Sequence, residues 1–261
     1  MKTKIHLSST RERWTLSLTA VALLVFFIFC VNQLNLETGK FFQRFWEAGT
    51  VIQRFFSLNF SDTTSILQEL FTSICMAIAG LAIGFILSLI FSFLGASNTA
   101  PHKFCSVLIK SFIGIIRAVP ALVWILIVVA SLGFGNTAGV VGLVFPTTGY
   151  LTKSFMSSIE EQDPAILETM RSTGANWFQT ITEGLLPGLV TPFLSWTSIR
   201  LESNIAESIS LGMVGAGGIG MLLVKAIGKY DYPMISTIIL FIFVTMITVE
   251  LLIGRIKKSL R

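Results

Sequence analysis

What most constrains this chain is its long apolar runs, several of them close to twenty residues or longer with few or no charges. A helix needs about 20 mostly apolar residues to cross a hydrocarbon core of roughly 30 Å. Backbone groups left unpaired in lipid are too costly, so such runs are helices unless they close into a barrel. No alternating barrel pattern is present. Composition agrees: 13% of the residues are charged, where a soluble domain carries about 25%. The fold class is therefore all-α and integral to a membrane.

Six transmembrane helices are expected, over Trp14–Val31, Ile66–Leu94, Phe104–Leu132, Ala138–Ser158, Pro187–Leu211 and Tyr232–Gly254. A cleaved signal peptide would also begin with a basic region before the first run. "CVNQLNLETGK" offers no A-x-A-like site after it, so an uncleaved anchor is expected. In "FFQRFWEAGTVIQRFF", residues 41–56, Phe41, Phe42, Phe45, Trp46, Ile52, Phe55 and Phe56 share one helical side, with polar residues largely opposite. That pattern suits a helix lying in the membrane interface, or a packed helix outside it. Gly80 and Gly84 have the spacing that lets helices touch, and Pro120 predicts a kink or break in the third run. The chain then divides into an N-terminal tail, anchor and amphipathic helix (1–64), a core (65–254) and a basic tail (255–261).

The net charge of +5 sits largely beside the spans, at Lys2, Lys4, Arg11 and Arg13 and at Arg255, Lys257, Lys258 and Arg261. This is the positive-inside pattern; it places both termini in the cytoplasm and speaks against nucleic acid. The turn at 95–103 and the stretch at 159–186 then fall on the cytoplasmic side. Lys40, Arg44, Arg54, Lys225 and Lys229 fall on the outward side, against that trend. Cys30, Cys75 and Cys105 stand singly, and His6 and His102 lie near chain ends or loops, so neither a disulfide nor a metal site is expected.

Two signals are declined. Gly215-Ala-Gly217-Gly218-Ile-Gly220 satisfies G-x-G-x-x-G, but no strand precedes it and no βαβ unit surrounds it. Its glycines instead suit close helix or backbone approach beside a pathway. No G-x-x-x-x-G-K-[ST] loop occurs, so energy must come from another subunit or from a gradient.

One polar interlude interrupts the apolar chain. "EEQDPAILETMRSTGANW" predicts helix, turn, helix, with Asp163 as N-cap, Pro164 at the first helical position, Gly174 as left-handed C-cap and Asn176 capping the second helix. Ala165, Ile166, Met170, Ala175, Trp177, Phe178 and Ile181 give it an apolar content that must be covered, by its own membrane domain or by a soluble partner.

Glu168, then Gly174, then Leu186-Pro187 resembles the E-A-A-x-x-x-G…I-x-L-P signature of ABC importer permeases. Thr169 and Met170 stand at the two alanines, and Gly184 at the isoleucine. "RLESNIAESISLGMVGAGGIG", residues 200–220, is similar to the matching segment of phosphonate-family permeases. The resemblance spans residues 65–254 and implies a type I ABC importer permease-like core. Residues 164–184 would be its cytoplasmic coupling helix, with Glu168, Thr169, Gly174, Ala175, Leu186 and Pro187 in ATPase coupling. It also implies a homodimer, two cytoplasmic ATPase subunits and an extracytoplasmic substrate-binding protein. ATP and magnesium would sit on the ATPase, with no cofactor on this chain. The cargo would be phosphonate, phosphate, phosphite or a related small oxyanion.

Charges inside spans cost roughly 2.5–3.5 kcal/mol each at a helix centre, so Arg200, Glu202, Glu207 and Glu250 need a reason. Steps of four and three place Arg200, Asn204 and Glu207 on one helical face, with Glu202 turned away. That face, with Gly215, Gly217, Gly218 and Gly220, is a candidate translocation path. The structural alternative is an ion pair, Arg200–Glu207 or Arg117–Glu202. A gradient-driven carrier would also use broken helices and buried charges, but no internal repeat supports one. No H-E-x-x-H or G-x-S-x-G motif supports a membrane enzyme.

Overall fold

The computed structural model describes residues 10–34 and 38–259. Lys2, Lys4, His6 and Arg261 lie outside them. The described chain is almost wholly helical, and no strand occurs in it. It divides into two units, residues 1–54 and 55–261. The first holds α1 (Thr10–Gln33) and nearly all of α2 (Thr38–Phe55). None of the described side chains of α1 is buried within the chain, as suits a helix surrounded by lipid.

The second unit runs α3 (Thr63–Gly95), α4 (Lys103–Ala118), α5 (Ala121–Leu132), α6 (Asn136–Glu160), α7 (Pro164–Ser172), α8 (Trp177–Gln179), a π-helical turn (Thr180–Leu185), α9 (Leu186–Met213), α10 (Ile219–Gly228) and α11 (Tyr232–Ser259). Trp14–Gln33, Thr63–Gly95 and Tyr232–Arg255 are each long and apolar enough to cross a membrane, and α4 with α5 passes as a broken pair. Helices α6 and α9, of 25 and 28 residues, are long enough but more polar. Their position accounts for this. Helix α6 packs against α3, α4, α5 and α9, so its polar groups meet protein rather than lipid.

Small residues set the tightest contact. A Cβ on Gly80 would stand 2.8 Å from the Leu143 Cβ, and one on Gly84 2.5 Å from the Thr147 methyl, so α3 and α6 touch there only because both are glycine. Near the ends of α3 and α6, Phe93, Leu151, Phe155, Ile159, Leu185, Leu189 and Phe193 form an apolar cluster, with Phe155 stacked on Phe193 at 4.0 Å between ring centroids.

The break expected near Pro120 is a bend of 87° between α4 and α5. Proline cannot donate to the carbonyl four residues back. The indole Nε1 of Trp124 donates to that oxygen, on Ile116, at 3.0 Å. Trp124 in turn stacks on Phe145. Helix α10 was not expected from the sequence, where its run reads only as an interruption. Gly218, at φ 69°, ends the turn and starts it.

Candidate functional site

Helix α9 carries Arg200, Asn204 and Glu207 on one face. Arg200 is 6% exposed, and its two terminal nitrogens donate to both carboxylate oxygens of Glu207, at 3.0 and 2.7 Å. The residues lie two helical turns apart, so the long guanidinium side chain runs along its own helix to reach its partner. Its Nε donates to the Thr147 hydroxyl at 3.3 Å, and that hydroxyl donates to the Asn204 side-chain oxygen at 3.0 Å. The Asn204 amide donates to the Ala77 carbonyl at 3.3 Å, joining α9 to α3 as well as α6. The guanidinium carbon also sits 5.8 Å from the centroid of the Tyr150 ring. A fork matched to a carboxylate is the arrangement in which a buried arginine keeps its charge at least cost.

Arg200, Asn204 and Glu207 thus come together as the helical spacing predicts, and Arg200–Glu207 is the ion pair formed. The other expected pair is corrected: among the described residues, none joins Arg117 to Glu202. Arg117 is exposed on α4 and its stem lies against Gly149, whereas Glu202 faces a recess shared with Glu250, Arg255 and Lys258. Thr147 and Tyr150 were not singled out in the sequence.

The glycines of 215–220 make a compact turn. Gly215, Gly217 and Gly218 have φ of 96°, 86° and 69°, which glycine adopts without strain. The Gly215 carbonyl accepts from the Gly135 amide, and the Ser73 hydroxyl accepts from the Ile219 amide at 3.0 Å. A Cβ on Gly217 would meet the Asn136 side chain, one on Gly218 would meet Ser73, and one on Gly220 the Ile209 carbonyl. The turn therefore closes directly on α3, α6 and α9.

The polar stretch folds as a hairpin of α7 and α8. Asp163 accepts from the Ala165 amide, Pro164 opens α7, Gly174 takes φ 76°, and Asn176 caps α8 with a reciprocal bond from Gln179. Glu168 and Thr169 are exposed on α7, Ala175 is half-buried, and Leu186-Pro187 starts α9. Part of its apolar content turns back on the bundle: Ile166 and Leu167 lean on the Phe155 cluster, and Ile181 is buried within it. Met170 lies where a side chain on Gly184 would go, which explains a glycine there. Trp177 and Phe178 stay 43% and 67% exposed.

Beside the hairpin, the α3–α4 turn is tied down by polar bonds. The Glu160 carboxylate accepts from the Ser97 amide and hydroxyl at 2.8 and 2.7 Å and from Lys110 at 2.8 Å. Burial raises the Glu160 pKa, but the hydrogen bonds from Lys110 and Ser97 and the lysine charge outweigh it, holding the group at about 2.

The geometry is matched by kinship. Residues 88–261 fit the family described as "Binding-protein-dependent transport system inner membrane component". The chain is 34% identical over 203 residues to a phosphite transport system permease protein of Stutzerimonas stutzeri, covering 78% of this chain and 74% of that one. It is 33% identical over 196 residues to a phosphate-import permease protein of Mycolicibacterium smegmatis, covering 74% of this chain but 37% of that longer protein. A methionine ABC transporter solved in inward-facing conformations shares the fold, with TM-score 0.67 and 17% identity over 77% of this chain and 99% of that chain. So does an amino acid ABC transporter, with TM-score 0.64 and 19% identity over 78% and 99%. The chain belongs to the inner-membrane components of binding-protein-dependent transport systems and has the fold of a type I ABC importer permease, a transport subunit rather than an enzyme.

Proposed function

We propose that this chain is the permease of an ATP-driven importer for phosphite, phosphate, phosphonate or a related small oxyanion. The observation that carries the reading is the 34% identity to a phosphite permease across 78% of the chain. In this reading residues 65–254 form the permease core, and the protein sits in the cytoplasmic membrane with both termini inside. Two copies enclose a two-fold pathway, since one subunit cannot close it alone. Two ATPase subunits, which hold ATP and magnesium, dock beneath, and a substrate-binding protein delivers the oxyanion from outside. The hairpin of residues 164–184 is the coupling element, with Glu168 and Thr169 in its first helix, Gly174 and Ala175 in its turn, and Leu186 and Pro187 just beyond it at the start of α9. Its exposed Phe178 supports a docking role, because an apolar ring outside the membrane needs a cover.

The α9 face and the glycine turn line the path. Arg200 supplies the cationic group that an oxyanion needs, and Glu207, at 28% side-chain exposure, is the more open partner. An arriving oxyanion competes with that carboxylate for the guanidinium fork, which keeps the contact transient. Reconstitution with the cognate ATPase and binding protein tests the function. ATP-dependent vesicle uptake of phosphite, phosphate or methylphosphonate is expected. Uptake driven by an ion gradient without ATP would overturn it. Arg200→Gln should lower uptake while the complex still assembles and hydrolyses ATP; unchanged uptake removes Arg200 from the path.

A further inference from the structure

We infer that Trp177 is a positioning residue that carries displacement of the α7–α8 hairpin into the bundle through one hydrogen bond to the α3–α4 turn. The inference rests on the proposed coupling role of the hairpin. Helix α7 has no buried residue. The apolar attachments of the hairpin are Ile166, Leu167 and Ile181 on the Phe155 cluster and Met170 against Gly184. Its polar link to the α3–α4 turn is the indole of Trp177, whose Nε1 donates to the Thr99 carbonyl at 2.7 Å. Beside this bond lies a cavity of about 270 Å³, lined in part by Asn98, Pro101, Leu167 and Arg171. Hairpin and turn are therefore not packed solidly together here, and the indole bond is the directional link between them.

The acceptor end is rigid. Thr99 is 6% exposed and its hydroxyl donates to the Phe93 carbonyl at 2.8 Å. The Ser106 hydroxyl donates to the Gly95 carbonyl at 2.6 Å, tying the start of α4 to the end of α3. The Asn98 amide donates to the Ile159 carbonyl at 2.8 Å, and Ser97 donates to Glu160, so the same turn is fastened to the end of α6. A pull on the Thr99 carbonyl is thus shared by three helices, of which α3 and α6 hold the Asn204 and Arg200 contacts.

The test uses the full complex with its ATPase and binding protein in proteoliposomes. Trp177→Phe keeps an aromatic ring and removes the donor. Trp177→His replaces it with a smaller ring, but imidazole Nε2 occupies the place of indole Nε1 on a five-membered ring and can donate again. The readout is substrate imported per ATP hydrolysed, using whichever of phosphite, phosphate and methylphosphonate the unaltered complex takes up best. Trp177→Phe is expected to keep its ATPase subunits and hydrolysis while uptake per ATP falls about three- to tenfold, the range that one lost hydrogen bond supports. Trp177→His should recover much of that loss. If Trp177→Phe outperforms Trp177→His, the role is packing and the inference fails. It also fails if Trp177→Phe keeps the normal ratio or sheds its ATPase. Gly174→Asp separates the two levels: normal uptake in that variant removes the coupling role itself, whatever Trp177 does.

Discussion

Lys110–Glu160 and Arg200–Glu207 are ion pairs of nearly equal length, 2.8 and 2.7 Å, placed in opposite surroundings. The first has side chains 39% and 31% exposed; in the second the arginine is 7% exposed. Water competes for the first, and exposed pairs of that kind contribute about 0–1 kcal/mol. Around Arg200 the competing groups are Thr147, Asn204 and the Tyr150 ring, so the guanidinium has no ready substitute for its carboxylate. Length says little about what a pair contributes; what surrounds it decides.

The largest effect expected comes from breaking the buried pair. Glu207→Gln leaves Arg200 uncompensated, and stranding one charge of such a pair costs about 3–5 kcal/mol. Thermal unfolding of the detergent-solubilised complex should show a marked fall in midpoint. Replacing both, as Arg200→Met with Glu207→Leu, should recover most of that stability, because no charge is then left alone. Should the single and double variants melt alike, the pair is not what satisfies Arg200.

A smaller cost is expected outside the membrane, at Gly174. Its φ of 76° costs an L-residue roughly 1–2 kcal/mol. A Cβ there meets nothing within 4 Å, so the cost is confined to the backbone of the turn. Gly174→Asp should therefore insert and fold with little change in midpoint, yet lose ATP-driven uptake and ATPase association. A midpoint drop as large as that of Glu207→Gln would show that the hairpin is part of the stabilising core after all.

The smallest effect belongs to the exposed pair. Glu160→Gln should lower stability by no more than about 1 kcal/mol. The sign with pH follows from its depressed pKa, about 2 against an ordinary 4.5. The carboxylate contributes fully above pH 4.5, and the contribution is lost as pH falls toward 2. The midpoint gap between the unaltered chain and Glu160→Gln should hold steady from pH 8 to 6 and narrow below 4.5. A gap that persists undiminished at pH 3 means that the charge of Glu160 is not what ties down the turn.

Local chemistry was legible in the sequence, and distant pairing was not. Asp163, Gly174 and Asn176 act within four residues of themselves, so composition and spacing reveal them. The α9 face is legible for the same reason, since a helix returns to one side every three or four residues. Trp177 and Thr99 are 78 positions apart, and Ser97 and Glu160 63 apart, with nothing in either segment to mark the other. Thr147 is equally silent: a threonine after a proline reads as a helix interior, and only the approach of α9 makes it the bridge between Arg200 and Asn204. The Arg117–Glu202 pair fails because opposite sign says nothing of placement: the Arg117 stem lies against Gly149 of α6, whereas Glu202 faces the recess beside Glu250 and Arg255 of α11.

The indole of Trp124 at the α4–α5 bend bears on how a chain can turn sharply in apolar surroundings without stranding a polar atom. A backbone oxygen freed by proline in an apolar setting usually recruits a neighbouring side chain or a water. Here the Ile116 oxygen is taken by a ring that is itself clamped on Phe145. The bend therefore needs no water to satisfy that oxygen. Sharp turning of the chain and a partner for the oxygen it frees are supplied by the same tryptophan. Trp124→Phe would keep the ring stack and leave that oxygen to recruit another donor.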